Sequence, residues 1–507
     1  MKAKIRKLLR SRYFYYALLF TGLNVFFTLN IIRQNGSIST KLAIAIEVVV
    51  EATLLAWLYF LRRKNLTPEK FFLAFAIPLG VLFALILPQG QAPDEPAHLY
   101  RAWGISDGVI IVTNTNEEGV YGSPLPEGMI NNLYWDPTPG ALRETYSNIG
   151  TKVSSETFFK QYQGTANYNP ICYIPQVLGI LVAKLFGASI VLTVYFGRLF
   201  NLAAFIIIIY FAIKFSPKFK NVLVFAALLP ISLQQAASLS PDALVISVPL
   251  FLIAFVSYII YTKKTKLSHG ELALLYILAI IIGLLKIVYL PLLLSYFLIP
   301  AERFGSKKAK IIHASIMVFC VLLVDLSWNL FTSKYLSSAP EGANSAGQIA
   351  YLLSSPLKLP LVILNTLQVK MHFYISSTFG TALGTLQILL PEIYTYLSAV
   401  LFASLLIQNS EHVKFTPAHR PVYTVAFIAT FVAILLGLYI QWTPVGNSFV
   451  EGVQGRYFLP FLTLIPLIFN QPKPKTLRTP LAGLDHVLGY SIFINVCALV
   501  YIFAQNF

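Results

Sequence analysis

Leu, Ile, Val and Phe recur along this chain in uninterrupted runs of about 20 residues, the length a helix needs to cross a hydrocarbon core. These runs constrain the fold more than any motif, because backbone surrounded by lipid must satisfy its hydrogen bonds within its own segment. A membrane β-barrel would instead show short segments of alternating polarity. The predicted fold class is therefore an all-α polytopic membrane protein. Composition points the same way: 56% of residues are hydrophobic and 12% charged, with a mean hydropathy of +0.68, which excludes a soluble enzyme.

The net charge of +17, from 38 Lys and Arg against 21 Asp and Glu, does not call for nucleic acid. The basic residues fall in short connections between apolar runs, where they orient helices, with a secondary attraction to anionic lipid head groups. Thirteen spans are expected: 14–32, 42–62, 70–88, 190–214, 221–237, 241–261, 270–285, 287–300, 309–331, 388–407, 420–440, 456–470 and 485–505. The basic start, Met1 to Lys7, leads into a retained first span rather than a cleaved signal. With that start in the cytoplasm, the clusters Lys214 to Lys220, Lys263 to Lys266, Arg303 to Lys310, His412 to Arg420 and Lys473 to Arg478 are all cytoplasmic, and the C-terminus is external. The arrangement requires 171–187 to be a short helix in or on the outer leaflet, since a crossing there would carry two Lys clusters outside. Residues 356–380 read as a re-entrant or interfacial external segment.

This gives a two-helix extension over 1–69, a membrane domain over 70–470 with external loops 89–189 and 332–387, and a cytoplasmic linker with a last helix over 471–507. Glu47 and Glu51, one turn apart within the second span, must face protein or water, either as a helix contact or as a proton relay. Cys172, Cys320 and Cys497 stand far apart and form neither a disulfide framework nor a zinc site.

From Pro88 to Pro170 the composition changes to Gly, Pro, Asn, Tyr and Trp, a large external loop with amphipathic helices. Its aromatics and amides, as in Asn131-Asn132-Leu133-Tyr134-Trp135, Tyr162 and Asn167-Tyr168-Asn169-Pro170, suit sugar contact and interfacial anchoring alike. At its start, Pro93-Asp94-Glu95-Pro96-Ala97-His98 sets two carboxylates after an apolar run. On a helix begun at Asp94, His98 and Arg101 share its face. Helix capping by Asp94 is the competing reading.

The outward topology also gathers the Ser238-Leu239-Ser240-Pro241-Asp242 turn, Lys286, the loop carrying Lys370 and His372, and Gly452 to Tyr457 on the outer side. The cytoplasmic connections carry no phosphate-binding glycine motif. Nucleotide sugars are absent outside the membrane, so transfer there needs a lipid-delivered donor, a carboxylate base, cations for the leaving phosphate and a groove open to lipid. Asp94 or Glu95 is the candidate base, and Lys286 and Arg456 are the candidate phosphate cations. His98, Arg101, Asp242, Gln454, Tyr457 and His372 are candidates for orienting acceptor or sugar. Each has a bland counterpart: Lys286 can snorkel, Arg456 anchor its helix, Asp242 cap, and both histidines be simple hydrogen-bonded residues. No residues are assigned to a metal, since no two histidines lie at ligand spacing.

Six motifs in order carry a resemblance: Pro93 to His98 with Ile105-Ser106-Asp107-Gly108; Tyr168-Asn169-Pro170 with Tyr173-Ile174-Pro175-Gln176; Gly197-Arg198-Leu199-Phe200-Asn201; Ser238 to Asp242; Lys286 before Tyr289-Leu290-Pro291; and Gln454-Gly455-Arg456-Tyr457-Phe458-Leu459-Pro460. From about residue 70 onward the chain resembles a family of bacterial membrane proteins catalogued as a domain of unknown function, which looks related to the GT-C membrane glycosyltransferases. The resemblance implies a polyprenyl-phosphate sugar donor, a base at Asp94 or Glu95, a second acid at Asp242 and an optional divalent cation. The absence of a sizeable soluble C-terminal domain departs from the oligosaccharyltransferases.

The function expected is an inverting glycosyltransferase of a bacterial cytoplasmic membrane, its active site facing outside. It would move one sugar to a surface polysaccharide or lipid-linked glycan. The alternatives are a repeat-unit polymerase, a lipid-sugar flippase or a non-catalytic scaffold of a wall-synthesis complex.

Overall fold

The computed structural model describes residues 12–35, 40–129, 133–332, 340–408, 416–469 and 483–507. The basic start, Asn131 and Asn132, His412 and the Lys473 to Arg478 cluster lie outside these residues.

Three long helices come first: α1 (Arg12–Asn35), α2 (Thr40–Arg62) and α3 (Pro68–Ile86). Proline at the start of α3 and Glu69 in its first turn suit a helix N-terminus, whose leading N–H groups have no intrahelical partner. The loop that follows holds α4 (Glu95–Ser106), α5 (Ala141–Ser147), the short α6 (Gln163–Ala166) and an antiparallel pair, β1 (Gly122–Pro126) with β2 (Thr157–Gln161), in register Gly122 to Gln161 and Pro126 to Thr157. Then come α7 (Ile174–Leu185), α8 (Ile190–Phe215), α9 (Lys220–Ala227), α10 (Pro230–Ala236), α11 (Asp242–Tyr261) and α12 (His269–Leu285). A Ser268–Glu271 capping box starts α12. Beyond Lys286 the chain continues as a 3₁₀ helix, Ile287–Leu298. The remainder is α13 (Lys307–Thr332), α14 (Ser345–Leu353), α15 (Lys358–Thr378), the two-residue strands β3 (Ala382–Leu383) and β4 (Ile388–Leu389), α16 (Ile393–Gln408), α17 (Arg420–Gln441), α18 (Leu464–Phe469) and α19 (Leu484–Asn506).

Among the described residues eight helices are long and apolar enough to cross a membrane, or nine if α14 and α15, bent by 110° at their junction, count as one span. The other apolar stretches are short or broken: α16 has 16 residues, α9 parts from α10 before Pro230, α12 passes into the 3₁₀ helix at Lys286, and the run after Gln454 forms a 3₁₀ turn and the short α18. α11 and α19 are the central helices, 89% and 83% buried over their spans, while α1 and α13, at 17%, are peripheral.

Polar contacts divide the bundle into two ends. At one end the loop after α3 meets the C-terminus, where Asn506 Oδ1 accepts from Gln91 Nε2 (2.6 Å) and from the backbone of Thr138 (3.0 Å). At the opposite end Arg62 pairs with Asp485, Lys263 with Glu271 (2.8 Å), and Arg303 donates to the Lys264 carbonyl. Helix α7 belongs wholly to the first end. Tyr173, just before it, bonds His98, and Lys184 near its close bonds Asp107 at 2.6 Å. Its 12 residues reach only ~18 Å, too little for a crossing. Ile174, Leu178, Leu181 and Leu185 form an exposed stripe, while its other face lies on α8. Gly179 permits that approach, since a Cβ there would sit 2.4 Å from the Phe196 carbonyl oxygen.

Candidate functional site

Asp94 adopts a left-handed conformation (φ 61°, ψ 10°), unusual for a residue with a Cβ. Its backbone oxygen accepts from His98, but its side chain makes no cap hydrogen bond to α4. The carboxylate is 59% exposed and lies 3.4 Å from Nη2 of Arg456. Backbone strain at a polar, accessible position is the kind that surrounding structure must hold in place.

Glu95, its neighbour, is placed differently. Arg198 donates Nε to one carboxylate oxygen (2.8 Å) and Nη2 to the other (2.6 Å), and the backbone N–H groups of Leu239 and Gly90 donate at 3.0 and 2.9 Å. Both side chains are buried. Of the two candidate bases, Glu95 has both oxygens engaged and sits inside the frame, while the Asp94 carboxylate is open. Arg198 also binds the carbonyls of Ala84, Leu87 and Pro88, closing the end of α3. An arginine inside an apolar run had to find such partners, and this was the sequence signal for the frame.

The same frame holds the Ser238 to Asp242 turn. Asn201 Nδ2 donates to the Ser238 and Ser240 carbonyls, and Gln176 Nε2 to those of Leu239 and Ser240. Three of the six sequence motifs thus converge on a fourth, the loop whose end is Asp242. Pro241 occupies the cap position and Asp242 the first turn, with no side-chain cap bond. Its Oδ2 is 2.7 Å from Arg456 Nε, an ion pair whose N–H falls short of hydrogen-bond alignment, and its Oδ1 is 3.5 Å from Lys286 Nζ. Asp242 is 5% exposed and Lys286 22%.

Arg456, 4% exposed, follows Gly455, where a Cβ would stand 2.1 Å from the Thr378 backbone nitrogen; only glycine lets this turn press on the end of α15. Its Nη1 donates to Gln454 Oε1. The Tyr457 ring lies 5.2 Å from the guanidinium and 4.7 Å from Lys286 Nζ, both cation–π contacts, and its carbonyl accepts from Tyr289 at 3.0 Å. The result is an alternating chain, Asp94, Arg456, Asp242, Lys286, exposed at the Asp94 end.

His98, four residues after Asp94, is buried and shares a 2.8 Å hydrogen bond between Nδ1 and the Tyr173 hydroxyl, with Tyr168 edge-on to its ring. Burial pushes its pKa down to about 4; Asp94 and Asp242 pull upward and Arg456 and Lys286 downward, so the imidazole is neutral at pH 7.

Arg101 and His372, the other candidates for orienting acceptor or sugar, have their contacts outside the ionic chain. Arg101 is fully buried, and its terminal nitrogens donate to the carbonyls of Val109, Ile110 and Tyr168, which fixes the loop after α4. His372 is 62% exposed, with Nε2 3.6 Å from Glu392. Tyr168, Tyr173 and Tyr289 are additions that the motifs contained without indicating their roles.

Among the described residues no three His, Cys, Asp or Glu side chains gather as a metal site. Asp94 and Asp242, the two acids a divalent cation would need, already share the guanidinium of Arg456. The donor set does not fit a metal.

The chain belongs to the predicted membrane protein family DUF2142, whose profile matches residues 77–465. That span contains all four members of the ionic chain, and α1 and α2 precede it. No curated protein and no solved structure matches the chain.

Proposed function

We propose that the chain is an inverting glycosyltransferase of the GT-C kind, in a bacterial cytoplasmic membrane with the Asp94 end outside. It moves one sugar from a polyprenyl-phosphate donor to a hydroxyl of a surface polysaccharide or lipid-linked glycan. About thirteen crossings accompany this reading, with the short and broken helices completing the eight long ones. Its orientation is supported by the lysines and arginines of the short connections at the opposite end.

The observation that carries the proposal is the state of Asp94: an exposed carboxylate, held in a left-handed backbone conformation, uncommitted to its own helix and next to a buried chain of cations. Asp94 takes the proton of the acceptor hydroxyl. The freed oxygen pair attacks the anomeric carbon from the side opposite the phosphate, the carbon–oxygen bond to phosphate breaks, and polyprenyl phosphate leaves with that electron pair. Lys286, the more accessible cation, steadies the phosphate oxygens, while Arg456 fixes Asp94 relative to Asp242. Gln454, Tyr457 and neutral His98 line the approach to the reacting groups.

The test is transfer in vesicles containing the protein and a radiolabelled lipid-linked sugar pool. Asp94→Asn should lower transfer by about 10²–10⁴ while leaving the protein folded; wild-type turnover in that variant overturns the assignment. Addition of a single sugar distinguishes this reading from a polymerase, which would yield ladders.

A further inference from the structure

The four-member chain is exposed at Asp94, and at its other end Lys286 leads into an apolar segment. Lys286, its last member, is followed immediately by the 3₁₀ helix Ile287–Leu298. Twelve residues of 3₁₀ geometry is long, because such runs rarely exceed about four. With three residues per turn, side chains three apart lie in line instead of winding around the axis. Burial follows that period: Tyr289, Leu292 and Ser295 turn inward, while Pro291, Leu294 and Phe297 form one straight edge at the protein surface.

That edge borders an apolar slot of about 400 Å³ between the 3₁₀ helix, α13 and α17, lined among others by Pro291, Leu294, Phe297, Met317, Val321 and Ala429. Every lining residue is apolar. The slot begins close beneath the ionic chain. A Cβ on Gly283, three residues before Lys286, would lie 3.0 Å from Val321 and 3.7 Å from Leu290, both of the slot lining. On the facing wall, α13 carries the slot residues up to Leu322, and two turns further on Trp328 donates its indole N–H to the Asn167 carbonyl, beside the Tyr168 that packs on His98. Both walls therefore lead from lipid depth to the polar site.

We propose that this slot holds the isoprenoid chain of a single-chain lipid phosphate whose head lies at Lys286. The proposal rests on the lipid-donor reading above and locates its lipid half. Three features argue for one branched chain rather than a phospholipid. The straight edge from Pro291 to Phe297 is ~12 Å long at the 3₁₀ rise, most of the ~15 Å hydrocarbon depth of one leaflet. The slot is one cavity of about 400 Å³, where a phospholipid brings two chains. Lys286, 22% exposed, stands four residues before Leu290 of the lining, a cation complementary to a terminal phosphate.

The full-length protein in nanodiscs, photolysed with a diazirine-bearing C55 polyprenyl phosphate, tests this. Cross-links should concentrate on 290–297 and 314–322, and excess unlabelled C55 phosphate should suppress them. Met317→Trp and, on the other wall, Ala429→Trp should weaken C55 phosphate binding at least tenfold while leaving a C10 phosphate within about twofold. Saturable C55 binding with cross-links scattered over the lipid-facing helices, or with both tryptophan variants at wild-type affinity, overturns the slot and leaves the donor reading standing. Equal suppression by phosphatidylglycerol also overturns it, since the slot would then take ordinary acyl chains. No saturable C55 binding by the wild type overturns both.

Discussion

Arg198 delivers Nε to one oxygen of Glu95 and Nη2 to the other, at 2.8 and 2.6 Å, and neither side chain is open to lipid or water. A buried pair of this kind contributes little net stability over apolar residues of equal size, but removing one partner strands the other charge. Two adjacent acids thus divide the work: Glu95 holds α3, α4, α8 and the Ser238 to Asp242 turn together, and Asp94 is left to face the solvent.

Glu95→Gln should therefore unfold the protein rather than merely inactivate it. A loss of about 3–5 kcal/mol is expected, from an uncompensated Arg198. Thermal unfolding in detergent, read by loss of the monodisperse peak, checks this; an unshifted midpoint would show that the pair is not structural.

Asp94 predicts the opposite pattern. Asp94→Asn keeps a side chain that tolerates the left-handed region, so folded yield stays while transfer falls by about 10²–10⁴, the range for loss of a general base. Asp94→Gly relieves the φ 61° strain and should be equal to wild type or up to about 1 kcal/mol more stable, yet inactive. A glycine variant clearly less stable than wild type would mean the strain is absent.

Much of this was legible in the sequence because membrane solvent leaves few options. Apolar runs fix the helical class, and the placement of lysines and arginines assigns Asp94, Asp242, Lys286 and Arg456 to one face. The roles within that set were not legible. Asp94 and Glu95 look equivalent as letters, and only Arg198, reaching from a helix about 100 residues on, separates them. Arg101 shares the helical stripe of Asp94 and His98, but loop carbonyls at 109, 110 and 168 claim it. The apolar run 221–237, broken before Pro230, reads as one span, since hydropathy averages over a break that backbone geometry does not.

His98 gives a pH signature. Its pKa is about 4 in the fold because burial disfavours the charged ring, against about 6.5 when unfolded. Between those values the unfolded chain binds the proton and the folded one does not, so the stability contribution is whole above pH 6.5 and is lost as pH falls toward 4. His98→Asn should flatten the dependence of the unfolding midpoint on pH across that window. Identical pH profiles for variant and wild type would show that His98 titrates normally.

Membrane orientation can be read by cysteine labelling, because Cys172 and Cys497 are buried and Cys320 only partly accessible. Glu118, exposed in the loop after α4, lies at the site end, and Lys264 at the opposite end beside Arg303. A membrane-impermeant maleimide should label Glu118→Cys in intact cells and Lys264→Cys only after permeabilisation. The reverse order would place the site in the cytoplasm and remove the reason for a lipid-linked donor.

The two cations of the ionic chain should separate kinetically. Arg456 is almost fully buried, bound to Gln454, and touches Asp94 and Asp242 through different nitrogens, so its fork geometry is what it contributes. Lysine keeps the charge but offers one point where two are needed. Arg456→Lys should lower kcat at least tenfold with little change in donor KM, since Asp94 loses its fixed position. Lys286 is more accessible, its Asp242 contact is long at 3.5 Å, and the Tyr457 ring leaves its ammonium free to shift toward an arriving phosphate. Lys286→Met should raise donor KM by about 10–100-fold, the worth of one hydrogen bond to a charged group, with a smaller effect on kcat. Equal losses in both constants for both variants would mean that the chain acts as one unit, with phosphate binding and base alignment inseparable.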